Sequence, residues 1–355
     1  MLGPVNAYYS NLIEVPGNGI QKLKHGEEKN TALPGMNRSI HEEVKAYNAI
    51  SKRFRSSPDM SEKLIMPYST RFIQQLHAEF YTQLPEEVRL NKGKDGHWKI
   101  APSGTFRAEG LEIGNHLAPP PERLSSYMER FEEFYNPTSN LNRSKIKRII
   151  SIAASHHRLA WIHPFSNGNG RIVRLFSEAC LLNEKLDASG LWSMSRGLAS
   201  NKEEYLTRLA KADSPPSGDF DGRGKLSKQM LIEFCIFFLQ TAISEIDFMY
   251  ATLDLHGLLN RIQKFGHMMA AKGDLRPEAT IVLCELFLKG QLSKVDAMKI
   301  TDLSDKTLKI TIDALQEMGL LTSKKEGVKM SYYPQYTAKY SSALFPELLP
   351  NPTHF

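Results

Sequence analysis

Two apolar helical runs meet at a short polar loop, and that junction constrains the chain more than any other stretch. The loop reads His163-Pro164-Phe165-Ser166-Asn167-Gly168-Asn169-Gly170-Arg171-Ile172-Val173-Arg174. Upstream, Ile146, Ile149, Ile150, Ala153 and Leu159 recur at helical spacing, and downstream Ile172, Leu175, Phe176, Ala179 and Leu182 do the same. Pro164 opposes simple continuation of the first helix. Gly168 and Gly170 leave the backbone uncovered where the second helix begins, and the unpaired N–H groups and positive dipole end of a helix N-terminus suit an anion. Arg171 and Arg174, three apart, share one face of that first turn. His163 stands at the mouth. Taken singly these features are ordinary: a Gly-Asn-Gly turn is helix punctuation, and a lone histidine is more often structural than catalytic. Together, an anion cradle, two arginines and one base read as a site for phosphate transfer.

This stretch resembles the signature of the Fic family, His-Pro-Phe-x-(Asp/Glu)-Gly-Asn-Gly-Arg-x-x-Arg. The resemblance implies a nucleotidyltransferase that moves AMP from ATP, used with Mg²⁺, to a Ser, Thr or Tyr hydroxyl of a target protein. It makes His163 the base that takes the hydroxyl proton. It assigns the anion hole to Gly168, Asn169 and Gly170, and the β- and γ-phosphates to Arg171 and Arg174. One position departs: Asn167 stands where the family has the acid that binds Mg²⁺. Mg²⁺ is a hard cation held best by carboxylates and phosphates, and an amide oxygen brings no charge. Three outcomes stay open. The metal is held by the phosphates with Asn167 as a weak ligand, or the nucleotide is of another kind or orientation, or the protein is a nearly inactive member.

Composition narrows the class without choosing the chemistry. The chain has 355 residues, enough for two or three domains. Its 41% hydrophobic and 24% charged residues are those of a globular protein, and its net charge of +6 permits nucleic-acid contact without arguing for it. The three cysteines, Cys180, Cys235 and Cys284, lie far apart in apolar helical runs and form no disulfide framework or metal pair. Met1 to Asn6 lacks a basic segment leading into an apolar core, so no signal peptide is expected. No apolar run is long enough to cross a bilayer, so no membrane partner is expected and a cytoplasmic location follows as an expectation.

In chain order, the spacing read together with the resemblance implies an N-terminal arm with an inhibitory helix (1–60), a catalytic core with a flap hairpin (61–213), a helical extension (214–272), a winged helix-turn-helix (273–340) and a tail (341–355). The fold class is therefore mainly α. The arm holds Tyr8-Tyr9-Ser10-Asn11-Leu12-Ile13-Glu14, by composition a short amphipathic segment. Beside the Fic motif it resembles the self-inhibitory Ser/Thr-x-x-x-Glu-Gly/Asn motif of some members, with Val15 and Pro16 departing from it. That resemblance implies a charge-assisted pair between Glu14 and Arg174, with Ser10 opening the motif. Helices are expected from Glu42 to Ile50 and from Tyr68 to Tyr81, the latter stopped by Pro85. Residues 90–123 read as a short hairpin followed by Pro119-Pro120-Pro121. The resemblance makes it the flap that receives a target's extended segment, with Glu112 and Ile113 at the docking edge. His156, His157 and His163 lack an acidic or cysteine partner at metal spacing, so zinc is not expected. Trp192 and Leu198 are explained by helix packing, and the resemblance gives Tyr205 a place beside the nucleotide base. Asp219 to Gly224 fails as a calcium loop because its twelfth position is Met230, so a turn is expected. Residues 227–272 give apolar helices whose Phe234, Phe237, Phe238, Ile243, Ile246, Met249 and Leu253 are expected in the core.

The run from Pro277 to Pro334 reads as helix, short helix (Lys294–Thr301), polar break, helix (Asp305–Met318) and two strands. In a DNA-binding winged helix, Lys306, Lys309, Lys324, Lys325 and Lys329 would contact phosphates. Such domains also bind proteins, and no arginine stands on the recognition helix. The order of domains resembles one bacterial Fic subgroup over nearly the whole chain, and it leaves room for a homodimer. A second reading of function is a DNA-binding regulator whose degenerate core senses a nucleotide.

Overall fold

The computed structural model describes residues 9–10, 12–14, 42, 45–47, 49–50, 67–92, 98–100, 102–114, 116–137, 143–186, 192–252, 254–326, 329–335 and 340–346. Tyr8, Asn11, Val15, Pro16, Val44, Leu253 and the tail beyond 346 lie outside them. The protein is mainly helical. Its described residues divide into two units, with the boundary between Ile246 and Asp247. It falls inside one long helix of the stretch read as the helical extension.

The first unit is built around the helical hairpin that carries the loop. Helix α1 (Thr70–Thr82) starts where Ser69 accepts a hydrogen bond from Phe72 N (3.1 Å). It buries Phe72, Ile73, Leu76, His77, Phe80 and Tyr81. Next come one helical turn, α2 (Glu86–Arg89), and two separate small hairpins. Strands β1 (Leu90–Lys92) and β2 (Trp98–Ile100) pair antiparallel, as do β3 (Glu112–Ile113) and β4 (His116–Leu117). The alternating residues of 90–123 therefore form two ladders where one was expected, and Trp98 and Leu117 stay largely exposed.

Helix α3 (Leu124–Tyr135) packs on α4 (Lys145–Ile162), which packs on α5 (Asn169–Asn183). Helix α5 is buried on almost every side, from Arg171 through Leu181, and Arg171, Arg174, Ser177 and Glu178 are buried with its apolar residues. On α4 the apolar spacing marks the inner face only in part. Ile146 and Ile150 are exposed, and the helix packs through Ile152, Ala153, His156, Leu159 and Ile162. The inward face also includes hydrogen-bonded His156 and His157, which apolarity alone does not mark. Helices α6 (Met194–Ser200) and α7 (Lys202–Ala212) complete the wall of the site.

Residues 214–227 form a turn closed by strands β5 (Gly222–Arg223) and β6 (Leu226–Ser227). Asp221 accepts from Ser217 N (2.9 Å), Ser227 Oγ (2.6 Å) and Gln229 N (2.6 Å), so its carboxylate caps the turn and the following helix. That helix, α8 (Lys228–Thr252), buries Phe234, Phe237, Phe238, Thr241 and Glu245. Ile243 and Ile246, expected in the core, are 58% and 47% exposed.

The second unit contains α9 (Leu255–Ala271), α10 (Glu278–Lys289), α11 (Lys294–Thr301) and α12 (Asp305–Glu317). Strands β7 (Leu292–Ser293), β8 (Leu321–Glu326) and β9 (Lys329–Pro334) form a sheet in the order β7-β9-β8. Gly319, at φ 69, ends α12 with Leu320 N donating to Leu315 O (2.9 Å). Leu283, Leu286, Leu308, Ile312, Leu315 and Tyr332 form the core. The two-residue β7 was not foreseen. Near the tail, Arg261 Nε donates to Leu344 O (2.9 Å).

Candidate active site

The loop between α4 and α5 is shaped by two left-handed residues. His163 ends α4 at φ 50 and ψ 59, and Gly168 opens α5 at φ 74. A non-glycine residue in that region stores strain that its surroundings must hold. Asn169 supplies one clamp. Its Oδ1 accepts from Phe165 N (3.0 Å) and its Nδ2 donates to Phe165 O (2.7 Å), all buried. The Asn169 side chain is thus used within the loop, leaving its backbone N–H at the helix N-terminus. A Cβ on Gly168 would strike the Tyr81 ring, so the glycine is required for space as well as for φ.

His77 supports the loop from below. Gly104 N donates to His77 Nδ1 (2.9 Å), so the ring proton is on Nε2 and is donated to the Asn167 carbonyl (3.2 Å). The ring stacks between Tyr81 and Phe165, with centroids at 4.3 and 3.9 Å. Burial lowers its pKa to about 4, and the ring is neutral.

Arg107 is the second clamp. Only 4% exposed, it donates Nε to His163 O (2.8 Å), Nη1 to Glu109 O (2.9 Å) and Nη2 to Pro119 O (2.5 Å), while its N–H donates to Pro164 O (2.9 Å). One guanidinium therefore ties the loop between α4 and α5 to both ends of the β3–β4 hairpin. Residue order assigns a role to neither Arg107 nor His77. The available signal was a charged residue between apolar neighbours.

His163 Nδ1 lies 3.1 Å from the Ala160 carbonyl oxygen, which can only accept. Nδ1 thus carries the proton and Nε2 is left with a free lone pair, the form a general base requires. Burial lowers the pKa of the ring to about 4, against the opposing pull of the Ala160 bond.

Helix α5 starts under a carboxylate. Arg174, 3% exposed, donates Nη2 to Glu14 Oε1 (2.6 Å), Nε to Ser10 Oγ (2.7 Å) and Nη2 to Ser10 O (2.8 Å). The helical segment holding Ser10 and Glu14 is seated by buried Tyr9 and Ile13 and by Lys202 Nζ donating to Leu12 O (3.0 Å). A Cβ added to Gly170 would collide with Glu14 Oε1, so the carboxylate stands directly over the first turn of α5. Desolvation raises the Glu14 pKa, but Arg174 and then Arg171 outweigh it and hold the carboxyl below its usual value. Arg171 lies with its guanidinium carbon 5.7 Å from the Phe80 ring centroid and donates to Asn167 Oδ1 (3.4 Å). Asn167 Oδ1 also accepts from Gly168 N (2.6 Å).

These residues border a cavity of about 760 Å³, lined among others by Glu14, Ile113, His163, Gly170, Arg174 and Tyr205. Tyr205 is buried and its hydroxyl meets His156 Nε2 (2.8 Å), whose Nδ1 is bonded to Ser177 Oγ (2.7 Å). His157 Nε2 is bonded to Asp213 Oδ1 (3.0 Å). Among the described residues no group of three His, Cys, Asp or Glu is arranged to hold a metal. The β3–β4 hairpin stands at the cavity edge with Glu112 and Ile113 exposed, and His116 Nε2, 2.8 Å from Trp161 O, fastens it to α4. The structure thus brings His163, Gly168, Asn169, Gly170, Arg171, Arg174, Ser10, Glu14 and Tyr205 to one place, with Ile113 at its rim.

Residues 67–181, which hold this loop, match the sequence model of the Fic/DOC family, so the chain carries a Fic/DOC family domain. The chain is 29% identical over 158 residues to a protein named protein adenylyltransferase Fic from Drosophila mojavensis, covering 44% of this chain and 30% of that one. It is 29% identical over 167 residues to a protein of the same name from Culex quinquefasciatus, covering 46% and 32%. The chain thus spans about a third of the length of these curated relatives. A crystal structure of a Fic family protein from Desulfovibrio desulfuricans G20 aligns with a TM-score of 0.48 and 16% identity, covering 94% of this chain and 86% of that one.

Proposed function

We propose that the protein is an adenylyltransferase that moves AMP from ATP to a Ser, Thr or Tyr hydroxyl of another protein, and that Glu14 holds it inactive. The observation that carries this reading is the proton-free Nε2 of His163 in one cavity with the Arg174–Glu14 pair. His163 Nε2 takes the proton from the acceptor hydroxyl. The oxygen attacks the α-phosphorus, the bond from that phosphorus to the bridging oxygen of the β-phosphate breaks, and pyrophosphate leaves. General-base help of this kind contributes about 10²–10⁴-fold. The N–H groups at the start of α5, Arg171 and Arg174 meet the phosphate charge. With Glu14 in place, Arg174 is taken and a carboxylate occupies the anion's position. The adenylyltransferase names of the relatives support the same reading.

Mg²⁺ fits these residues poorly. Asn167 Oδ1 is neutral and already accepts from Gly168 N and Arg171. No step above passes through a metal.

We also read the helix and strand order of the C-terminal unit as that of a winged helix-turn-helix, and DNA contact by its exposed lysines is a second proposal. Lys306, Lys309, Lys324, Lys325 and Lys329 are exposed. Asp305, Asp313 and Glu317 are exposed on the same helix as Lys306 and Lys309, which weakens this reading against a protein partner. A gel shift with the full chain at low salt tests it, since non-specific DNA binding is mainly electrostatic.

Incubating Glu14→Gly protein with ATP labelled at the α- or the γ-phosphorus tests the main proposal. Protein label from the α-position alone is expected. Label from the γ-position alone would mean phosphoryl transfer and would overturn it.

A further inference from the structure

His156 is fully buried on α4, and the proposed chemistry gives it no task. Its surroundings fix both ring nitrogens. Ser177 Oγ donates to Val173 O (3.0 Å), so its lone pairs face His156 Nδ1 at 2.7 Å, and Nδ1 carries the ring proton. Nε2 is then an acceptor, and the Tyr205 hydroxyl 2.8 Å away donates to it. With its one proton spent on His156, Tyr205 Oη can only accept on its other side. There it is in hydrogen-bonding contact with the Arg174 guanidinium, which can only donate. Every bond thus points one way: from Arg174 on α5 to Tyr205 on α7, to His156 on α4, to Ser177 and finally to the carbonyl of Val173, the residue before Arg174. The chain of bonds leaves one turn of α5 and returns to it. Burial lowers the pKa of His156 and raises that of Tyr205 to about 12 against the pull of Arg174, so both groups stay neutral and the directions hold.

We propose that Tyr205 and His156 are positioning residues for Arg174, holding its guanidinium toward the polyphosphate of the nucleotide once the inhibitory segment has left. The inference rests on the proposed role of Arg174 at the β- and γ-phosphates. In the docked state Nε and Nη2 of Arg174 are bonded to Ser10 and Glu14. All three of those bonds go when the segment departs, and an arginine left without partners spreads over many rotamers. The contact with Tyr205 involves no residue of that segment, so it stays. Because the chain of bonds ends on Val173 O, it fixes the arginine against its own helix, whose N-terminus is the other half of the anion site. A donor held in place beforehand loses less freedom when the phosphates arrive. The rings of Phe234 and Phe238, with centroids 5.9 and 5.1 Å from that of His156, give the bonds an apolar setting in which each is stronger than in water. The Tyr205 hydroxyl thereby acts at the phosphate end of the nucleotide and not at its base.

Calorimetric titration of the full chain carrying Glu14→Gly, with ATP and with AMP, tests it, since AMP lacks the β- and γ-phosphates. Adding Tyr205→Phe should weaken ATP about 10-fold and leave AMP within about twofold. Tyr205→Phe also strands the buried Nε2 of His156. Tyr205→Phe/His156→Phe, which replaces both polar partners by apolar groups, is therefore measured beside it, and circular dichroism checks the fold of each. The double variant should show the same selective loss of ATP. Arg174→Ala in the same background is the reference and should lose ATP affinity more steeply still. Equal losses of ATP and AMP in the Tyr205 variants would put the hydroxyl at the base and overturn the positioning role. A selective loss for Arg174→Ala with none for either Tyr205 variant would overturn it while leaving Arg174 at the phosphates. No selective loss for Arg174→Ala would overturn the phosphate role of the arginine, and the positioning role with it.

Discussion

Arg174 and Glu14 stand 160 positions apart in the chain and meet at 2.6 Å, with the carboxylate over the first turn of the helix that bears the arginine. A charge-assisted bond of this kind is among the stronger polar contacts a protein makes. It also sets an anion where a phosphate would bind. Glu14→Gly should therefore tighten ATP binding about 10- to 100-fold, taking a hydrogen bond to a charged group as ~1.5–3 kcal/mol. Titration calorimetry of the full chain measures it, and equal affinities would remove the inhibitory role.

Ser10 holds the same arginine through both its hydroxyl and its carbonyl. Ser10→Ala removes only the hydroxyl and leaves Arg174 Nε short of an acceptor in the docked state. ATP should bind about 10-fold tighter than to wild type, and less tightly than to Glu14→Gly. If Ser10→Ala matched Glu14→Gly, the carboxylate would contribute nothing beyond seating the segment.

Folded His77 and His163 both have pKa values lowered to about 4, against ~6.5 for a free imidazole. Between those values the unfolded chain binds more protons than the folded one, so stability is lost as pH falls from about 6.5 to 4. The melting temperature should drop between pH 7.5 and pH 5, and a melting temperature unchanged over that range would contradict the burial of these rings. As a base His163 works proton-free, so kcat/KM for AMP transfer by Glu14→Gly protein should show no His163 limb near pH 6.5. Such a limb is expected only near pH 4.

Asn169 closes the loop with two bonds to one residue, Phe165. Asn169→Ala leaves a buried N–H and a buried carbonyl without partners and should destabilise the first unit by about 2–4 kcal/mol. Urea unfolding followed by a probe in that unit measures it. A loss below ~0.5 kcal/mol would mean that the loop holds its shape without the clamp.

Asn167 offers a phosphate-bound cation only an engaged, neutral amide oxygen. In the Glu14→Gly background, replacing EDTA with Mg²⁺ should alter ATP affinity less than it does after Asn167→Asp adds a carboxylate. An equal Mg²⁺ effect in both proteins would show that position 167 has no part in metal binding.

What the sequence revealed depended on how far apart the cooperating residues lie. His163 to Arg174 is one contiguous run, so spacing alone exposed the helix hairpin and its glycine-bearing turn. The helices and paired strands of the C-terminal unit were equally legible because each is bounded by local signals, such as Gly319 at its positive φ. Glu14 came to Arg174 only by resemblance, since no local rule joins residues so distant. Arg107 and His77 stayed without a role because their work is to satisfy carbonyls, and acceptor geometry leaves no trace in residue order. Ile243 and Ile246 misled because periodicity marks an apolar face without saying what covers it. Ile146 and Ile150 misled for the related reason that hydrogen-bonded His156 and His157 occupy the inner face of α4 instead.

The most direct measurement is the intact mass of wild-type and Glu14→Gly protein after incubation with ATP, beside a Glu14→Gly/His163→Ala control. The account predicts one added AMP on the Glu14→Gly protein, little or none on wild type, and none on the control. Equal AMP addition to wild type and Glu14→Gly would contradict inhibition by Glu14, and addition to the control would contradict His163 as the base.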